Sequence, residues 1–145
     1  MSQGFPDTET IKAFNNNVAD EFRANGGRVG GQFEGADLLL LTTTGAKSGK
    51  KRLNPLVALV EGDTLYVFAS KAGAPTSPDW YHNLVANPEV EVEFGDERFA
   101  ATALPITSGP ERDRLYAAQV AVQPGFGDYE KATTRVIPVV ELRRS

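Results

Sequence analysis

The 145-residue chain contains no cysteine, one histidine and one methionine. Without cysteine it cannot form a disulfide, a thiolate nucleophile or an iron–sulfur cluster, and the single His82 argues against a histidine-rich metal site. No apolar run is long enough to cross a bilayer, and the first residues show neither the basic segment nor the apolar stretch of a secretory signal. We therefore expect no metal and a cytoplasmic protein, with peripheral contact to a membrane left open.

The charge balance is acidic, with 19 acidic and 15 basic residues, a net charge of -4 and 41% hydrophobic residues. This composition is typical of a single soluble globular domain, here expected over residues 1–145. Nonspecific binding to nucleic acid needs a broad positive surface, so an acidic total disfavours a nucleic-acid partner.

The first segment, residues 7–25, predicts an amphipathic N-terminal helix with Asp7 as its N-cap and two glycines after its end. Its apolar residues recur at steps of three and four: Ile11, Phe14, Val18 and Phe22. The apolar stripe is narrow, which favours packing against the domain. The alternative is a surface helix that contacts a membrane or a partner.

Six short strands are predicted in the remaining region, residues 36–145. They span residues 38–44, 53–60, 65–70, 89–94, 97–104 and 135–142. Gly62 and Gly95 each begin a Gly-Asp pair suited to a tight hairpin turn. Pro55 cannot donate a ladder hydrogen bond, so the second strand is expected at an edge or a bulge.

Two further helices are predicted from their start signals. Ser77 is the expected N-cap of a helix that ends before Pro88, and Ser108 has capping-box spacing to Glu111 in front of a helix to about residue 122. Between them, strict alternation predicts that Glu89, Glu91 and Glu93 face water. Mostly hairpin-linked strands with few helices predict a mainly β, α+β fold, an antiparallel sheet or small barrel decorated by helices.

The densest basic cluster lies in the polar loop after the first strand, where residues 47–52 read KSGKKR. Four of the 15 basic residues fall in these six positions, and the rest of the chain has 11 basic against 19 acidic residues. Such a glycine-flanked loop suits a phosphate or carboxylate ligand, through its cations and its backbone N–H groups. The alternative is a solvated loop that keeps the protein soluble.

Two other segments have the composition of a ligand site, the first as a rim and the second as a lid that covers a flat ligand. Residues 69–74 run from a strand end through a glycine loop towards a helix start; alternatively, Trp80 and Tyr81 are core aromatics and Lys71 is a surface charge. Residues 123–129 form a glycine- and aromatic-rich loop in which Phe126 could stack on a flat ligand and Tyr129 offer a hydroxyl. That loop could equally be a packed connection.

Several separate motifs, in this order and spacing, resemble the deazaflavin-dependent nitroreductase family. They are LLLTTTGAKSG at 39–49, RLNPL at 52–56, ASKAG at 69–73, PDWYHNL at 78–84 and ANP at 86–88. The resemblance covers about residue 30 to the C-terminus. It implies a split β-barrel of the FMN-binding type and the deazaflavin coenzyme F420 as cofactor.

The resemblance also implies which residues bind the coenzyme. Those matching the segment that holds its phosphate and acidic tail are Ala46, Lys47, Ser48 and Arg52. Those matching the two strand segments beside the deazaflavin ring are Leu53, Asn54, Pro55, Leu56, Val57, Phe68, Ala69, Ser70 and Lys71. Those matching the helix start that closes the pocket are Asp79, Trp80, Tyr81, His82 and Asn83.

The chemistry implied is hydride transfer from reduced F420 to an electron-poor acceptor such as a quinone, an activated enone or a nitroaromatic, with the protein aligning the ring and excluding competing reactions. Ser70 and Tyr129 are the candidate catalytic residues, and the expected acceptor contacts are Val57, Gln123, Phe126 and Tyr129. Nitroreductases of the family carry tyrosines where this chain has Val57, Gln123 and Phe126, so cofactor binding is better supported than nitroreduction. Two alternative functions are an FMN-dependent reductase of the same fold and a non-catalytic F420 carrier. For the oligomeric state, a monomer and a homodimer both remain open.

Overall fold

The computed structural model describes residues 8–33 and 35–145, which leaves the predicted Asp7 cap outside the described residues. Four α-helices and seven strands form in this part of the chain. In order they are α1 (Thr8–Ala24), β1 (Leu38–Thr44), β2 (Lys51–Val57), β3 (Leu59–Glu61), β4 (Thr64–Phe68), α2 (Asp79–Ala86), β5 (Glu89–Phe94), β6 (Glu97–Ile106), α3 (Pro110–Val122), α4 (Gly125–Lys131) and β7 (Val139–Arg144). Short 3₁₀ helices occupy Gly31–Phe33 and Lys71–Gly73. None of the helices described is both long and apolar enough to span a membrane.

The strands form one antiparallel sheet in the order β2-β1-β5-β6-β7-β4-β3. Strands β2 and β3 lie at opposite edges of this sheet, yet Ala58 alone separates them along the chain. The sheet must therefore curl until its two edges approach each other, which produces a half-closed barrel. The predicted α+β fold, a barrel of mostly antiparallel strands with helices, is confirmed.

The predicted second strand, 53–60, is two strands because the chain changes partners at Ala58. Before that residue it pairs with β1, and after it with β4. The Ala58 N–H donates to the Asp37 carbonyl at 2.7 Å, which extends the β1–β2 register by one pair before the chain turns to β4. Two other local expectations hold: β2 with Pro55 is an edge strand, and Gly62 and Gly95 open two-residue turns with φ of 60° and 59°.

The interior of the barrel is filled by aliphatic side chains that alternate along β1, β4, β5, β6 and β7. Trp80 and Leu84 from α2 complete this cluster, so α2 closes one side of the barrel. A second cluster lies between the sheet and α3, around Phe68 and Tyr116. These two clusters fix the positions of α2 and of the end of β4.

Helix α1 packs against the outer face of the β1–β2 edge. Val18, Ala19 and Phe22 are buried there with alternate leucines of β1, which confirms packing against the domain over a free surface helix. The prediction that Glu93 faces water is wrong: its side chain is buried, and the Arg23 guanidinium donates to both of its oxygens at 2.9 Å. Period-two alternation could not reveal that a helix covers this strand.

Several element boundaries differ from the expectations. Helix α2 has Pro78 as its N-cap and α3 has Gly109, and neither start has a side-chain cap, so the proposed Ser77 and Ser108 caps are wrong. The last strand begins at Val139 instead of residue 135, and the preceding Pro138 has no N–H to donate to a ladder. The predicted late loop is partly helical, as α4.

Candidate functional site

The basic loop between β1 and β2 is closed by its own backbone. The Gly45 N–H donates to the Lys50 carbonyl at 2.8 Å, and the Gly49 N–H donates to the Gly45 carbonyl at 3.0 Å. The Ser48 hydroxyl accepts from the Lys50 N–H at 3.1 Å. Gly49 has a φ of 70°, which favours glycine. The loop is thus an ordered turn that presents its side chains outward.

The cations of this loop are not neutralised by the protein. Residues 46–52 are all exposed, and in the described part of the chain no carboxylate forms an ion pair with Lys47, Lys50 or Arg52. Lys51 Nζ donates to Thr44 Oγ1 at 3.0 Å. Exposed, unpaired cations on an acidic protein attract an anionic ligand.

Helix α2 holds the loop in place. Asn83 Oδ1 accepts from the Ala46 N–H at 3.0 Å, and Asn83 Nδ2 donates to Thr43 Oγ1 at 3.4 Å. One turn further on, Asn87 Nδ2 donates to the Thr44 carbonyl at 3.3 Å. Two of the sequence-predicted segments, the basic loop and the α2 start, are therefore joined directly.

The β2 residues of the predicted ring site lie on two faces of the strand. Leu56 packs with the barrel interior, whereas Leu53 and Val57 pack beneath α1. By alternation Asn54 shares the face of Leu56 and Pro55 that of Leu53. The structure therefore brings only Asn54 and Leu56 to the barrel side, and the coenzyme contacts of all five residues stay predictions.

The end of β4 carries the candidate Ser70 into a tight turn. Phe68, Ala69 and Ser70 are buried, and the Ser70 N–H donates to the Phe68 carbonyl at 2.8 Å. The exposed Lys71 that follows has a φ of 47°, the only positive φ outside glycine in the described residues. Such a conformation costs about 1–3 kcal/mol and persists only where the surroundings enforce it.

The α2 residues differ in exposure. Trp80 is a core residue of the barrel, as the alternative interpretation expected, while Asp79 and His82 are exposed. Tyr81 is half-buried, with its ring centroid 5.9 Å from that of His82, and burial raises the pKa of its phenol. Tyr81 and Asn83 thus remain the α2 side chains with both partial exposure and a polar group.

An aromatic cluster supports the late segment. The Phe126 ring lies 5.1 Å from that of Tyr129 and 5.7 Å from that of Phe68. The Tyr116 hydroxyl donates to the Phe126 carbonyl at 2.6 Å, and burial raises the pKa of Tyr116 to about 12, so this donor is retained at any physiological pH. Gln123 is half-buried at the end of α3.

The late segment also meets the turn after β4. A Cβ added at Gly73 would lie 2.8 Å from the Tyr129 carbonyl and 2.8 Å from the Ala132 Cβ. The backbone of the turn after β4, which carries Ser70 and Lys71, thus contacts that of α4, which carries Tyr129. The structure brings the candidate catalytic residues into one region.

Sequence reasoning missed Thr43, Asn87 and Arg135. The Arg135 side chain donates to Ala69, Ser70 and Ala74 carbonyls and to the Ser77 hydroxyl, groups that lie 58 to 66 residues earlier in the chain. Burial lowers its pKa. Arg135 could not be found from a local motif, because its hydrogen-bond partners are mostly backbone atoms that are distant in the sequence.

Two cavities lie away from these residues. One of about 920 Å³ is bounded by the end of α1, the glycine-rich segment and the β5–β6 turn, and one of about 370 Å³ by α1 and Phe33. No predicted site residue lines either one. They lack the cation cluster, so the chemistry favours the basic loop and the β4 end. Among the described residues no cluster of three carboxylate or imidazole groups could hold a metal.

Comparison with known proteins agrees with this arrangement. The F420H(2)-dependent quinone reductase family model matches residues 15–143. The chain is 42% identical over 128 residues to an F420H(2)-dependent quinone reductase of Mycobacterium tuberculosis (strain ATCC 25618 / H37Rv), with 85% of each chain covered.

Solved structures give the same result. A structure of an F420-H2 dependent reductase, FDR-A, is similar with a TM-score of 0.68 and 41% identity, covering 74% of this chain and 94% of that one. A domain-swapped dimer aligns with a TM-score of 0.70 and 34% identity, covering 94% of this chain and 98% of that one.

The fold is thus of the FMN-binding split-barrel type. The enzyme class and the F420 dependence expected from the sequence are confirmed at the level of the family: the chain belongs to the F420H(2)-dependent quinone reductases, which are oxidoreductases.

Proposed function

We propose that this protein reduces a quinone with reduced F420 as the electron donor. The observation that carries the proposal is the cluster of exposed, unpaired cations at residues 47–52, tied by Asn83 to the helix that closes the barrel. An ordered cationic loop that a helix holds in place suits an anionic coenzyme tail.

The residues present fit the coenzyme. Lys47, Ser48 and Arg52 would hold its phosphate and acidic tail, through two exposed charges and a hydroxyl. The Ala46 N–H is already bonded to Asn83, so Ala46 contributes by fixing the loop. Because these contacts are ionic and exposed, they weaken as salt increases.

The ring site is proposed between β2, the β4 end and α2. Asn54 and Leu56 would form one wall, Ser70 and Lys71 a second, and Tyr81 the entrance. Bound there, reduced F420 supplies a hydride to the acceptor. The protein aligns the two reactants and excludes water from the barrel side, where the neighbouring side chains are aliphatic.

The acceptor is proposed to lie against Phe126 and Tyr129, whose rings pack edge to face beside Phe68. The hydroxyls of Ser70 and Tyr129 would donate hydrogen bonds to an acceptor oxygen, where negative charge develops as the hydride arrives. A proton from solvent completes the hydroquinone. The chain has Val57, Gln123 and Phe126 where nitroreductases of the resembling family carry tyrosines, and its family model is that of quinone reductases, so we favour a quinone as the acceptor.

The experiment is to mix purified protein with reduced F420 and with quinones, enones or nitroaromatics, and follow the visible absorbance of the oxidised coenzyme. We expect reduced F420 to be oxidised fastest when a quinone is the acceptor. We expect this rate to be lower in a Ser70→Ala variant. Tight coenzyme binding without oxidation by any acceptor would identify a carrier and refute the proposal. Faster turnover with nitroaromatics would refute the quinone assignment alone.

A further inference from the structure

The Arg135 side chain links two segments that the proposed function places around the coenzyme ring. Nη2 donates to the Ala69 carbonyl at 3.0 Å and to the Ser70 carbonyl at 2.9 Å. Nε donates to the Ala74 carbonyl at 2.9 Å, and Nη1 donates to Ser77 Oγ at 3.2 Å. One planar group thus bridges the end of β4 and the residues just before α2.

The bridged segment contains the strained turn. Lys71, with its positive φ, lies between Ser70 and Ala74, whose carbonyls both accept from Arg135. The N–H groups of Gly73 and Ala74 close the turn by donating to the Ser70 and Lys71 carbonyls, each at 3.0 Å. Arg135 therefore contacts the backbone on both sides of the strained Lys71.

The electrostatics of Arg135 differ from those of the other guanidinium buried against this half of the fold. Arg112 donates to the Ile137 carbonyl and also pairs with the carboxylates of Asp113 and Glu130. Arg135 bonds only to neutral oxygens, and in the described part of the chain no carboxylate lies within ion-pair distance of it. A half-buried, uncompensated charge is a costly way to stabilise a turn, which points to a role in the site.

We propose that Arg135 is a positioning residue for the coenzyme: it fixes the β4 end against the start of α2, so that Ser70 and Lys71 meet the deazaflavin ring in a single conformation. The inference rests on the proposed function. Preorganisation of this kind removes the entropy cost of ordering the turn when the ligand binds. Only arginine has the rigid fork of donors that reaches four oxygens, so lysine cannot replace it.

The test compares Arg135→Lys and Arg135→Ala with the wild-type protein by fluorescence titration with oxidised F420, recording affinity and the emission spectrum of the bound coenzyme. Loss of two or more hydrogen bonds predicts at least about tenfold weaker binding and an altered spectrum. Added guanidinium ion at low concentration should partly restore the affinity of Arg135→Ala. Amide hydrogen exchange at Gly73 and Ala74 should accelerate in both variants without coenzyme.

Two further variants separate positioning from stability. Arg23→Lys weakens a partly buried ion pair under α1, away from the ring site, and should lower the melting temperature while leaving the affinity for F420 unchanged. Ser77→Ala removes one acceptor of the Arg135 fork and should fold normally with binding weakened about twofold.

The outcomes are distinct. A folded Arg135→Lys protein that binds F420 with wild-type affinity and spectrum overturns the inference and leaves the proposed function intact. Equal losses of affinity in Arg135→Lys and Arg23→Lys at matched stability also overturn it, because a merely structural role predicts that result. Failure of the wild-type protein to bind F420 refutes the proposed function itself.

Discussion

Asn83 Oδ1 accepts a hydrogen bond from the Ala46 N–H at 3.0 Å across 37 residues of sequence. Through this bond, a helix that closes the barrel sets the position of a loop that carries the exposed cations. The same side chain reaches Thr43 at the end of β1, so the loop is held at its beginning from two directions. Coenzyme anchoring and barrel closure are thus one structural unit.

Replacing Asn83 by alanine is expected to loosen the basic loop. Two hydrogen bonds worth about 1 kcal/mol each are lost, so F420 affinity should fall by up to about thirtyfold. Fluorescence titration measures the effect. Val85→Ala, at an exposed position on the same helix, is the matched control. Wild-type affinity in Asn83→Ala would show that the loop needs no tether.

Gly73→Ala is expected to destabilise the contact between the β4 turn and α4. The new Cβ would lie 2.8 Å from the Tyr129 carbonyl, at a φ of 83° that disfavours side chains. Gly62→Ala is the control, since it has a φ of 60° with nothing within 4 Å and so carries only the backbone strain, about 1–2 kcal/mol. Urea unfolding should show the larger loss for Gly73→Ala; equal losses would mean that the close approach is not rigid.

The ion pair between Glu93 and Arg23 is expected to make stability depend on pH. The guanidinium lowers the pKa of the Glu93 carboxyl, so its stabilisation is present above the unfolded pKa of about 4.3 and is lost as pH falls through the lower folded pKa. Glu93→Gln should therefore be less stable near neutral pH by about 1–2 kcal/mol, with a shallower decline below about pH 5.

Thermal unfolding from neutral to acidic pH measures this difference. The control is Glu89→Gln, an exposed carboxyl on the same strand, which should follow the wild-type profile. Parallel profiles of Glu93→Gln and the wild type would show that the Glu93 carboxylate gains no stability from its charge pairing with Arg23.

Removing the Tyr129 hydroxyl is expected to impair acceptor reduction without weakening coenzyme binding. One hydrogen bond to the acceptor corresponds to a two- to tenfold loss, approximately, in kcat/KM for a quinone. Steady-state kinetics of Tyr129→Phe and a parallel F420 titration separate the two effects. Tyr66→Phe, a half-buried tyrosine of β4, is the control. Unchanged kinetics in Tyr129→Phe would remove the hydroxyl from the acceptor site.

Much of the fold was predictable because its signals are local. The hairpin turns at Gly62 and Gly95 and the edge position of Pro55 follow from backbone rules that need no knowledge of distant contacts. The burial of Glu93 does not, because it depends on α1 crossing a strand some 70 residues later in the chain. The change of strand partner at Ala58 could not be predicted either, since it arises from the curling of the whole sheet.

The candidate site was predictable in part. The cation cluster at 47–52 is a compositional signal, and the structure shows it exposed, with Lys47 and Lys50 in the loop and Lys51 and Arg52 at the start of β2. The sequence analysis named Asn83 only as part of a motif that resembles the family, so its bond to the basic loop was not predicted. Nothing in the sequence indicated the four hydrogen bonds of Arg135. Alternation within β2 separates Leu53 from Leu56, a distinction that a contiguous motif does not make.

The most direct measurement is a fluorescence titration with oxidised F420 and, in parallel, with FMN, at low and high salt, on the wild-type protein and on the Lys47→Ala, Arg52→Ala double variant. We predict that the wild type binds F420 in preference to FMN and that salt weakens this binding. The double variant should melt at the wild-type temperature and bind F420 about tenfold or more weakly, with less salt dependence. Unchanged F420 affinity in the double variant, or binding of FMN alone, would contradict the account.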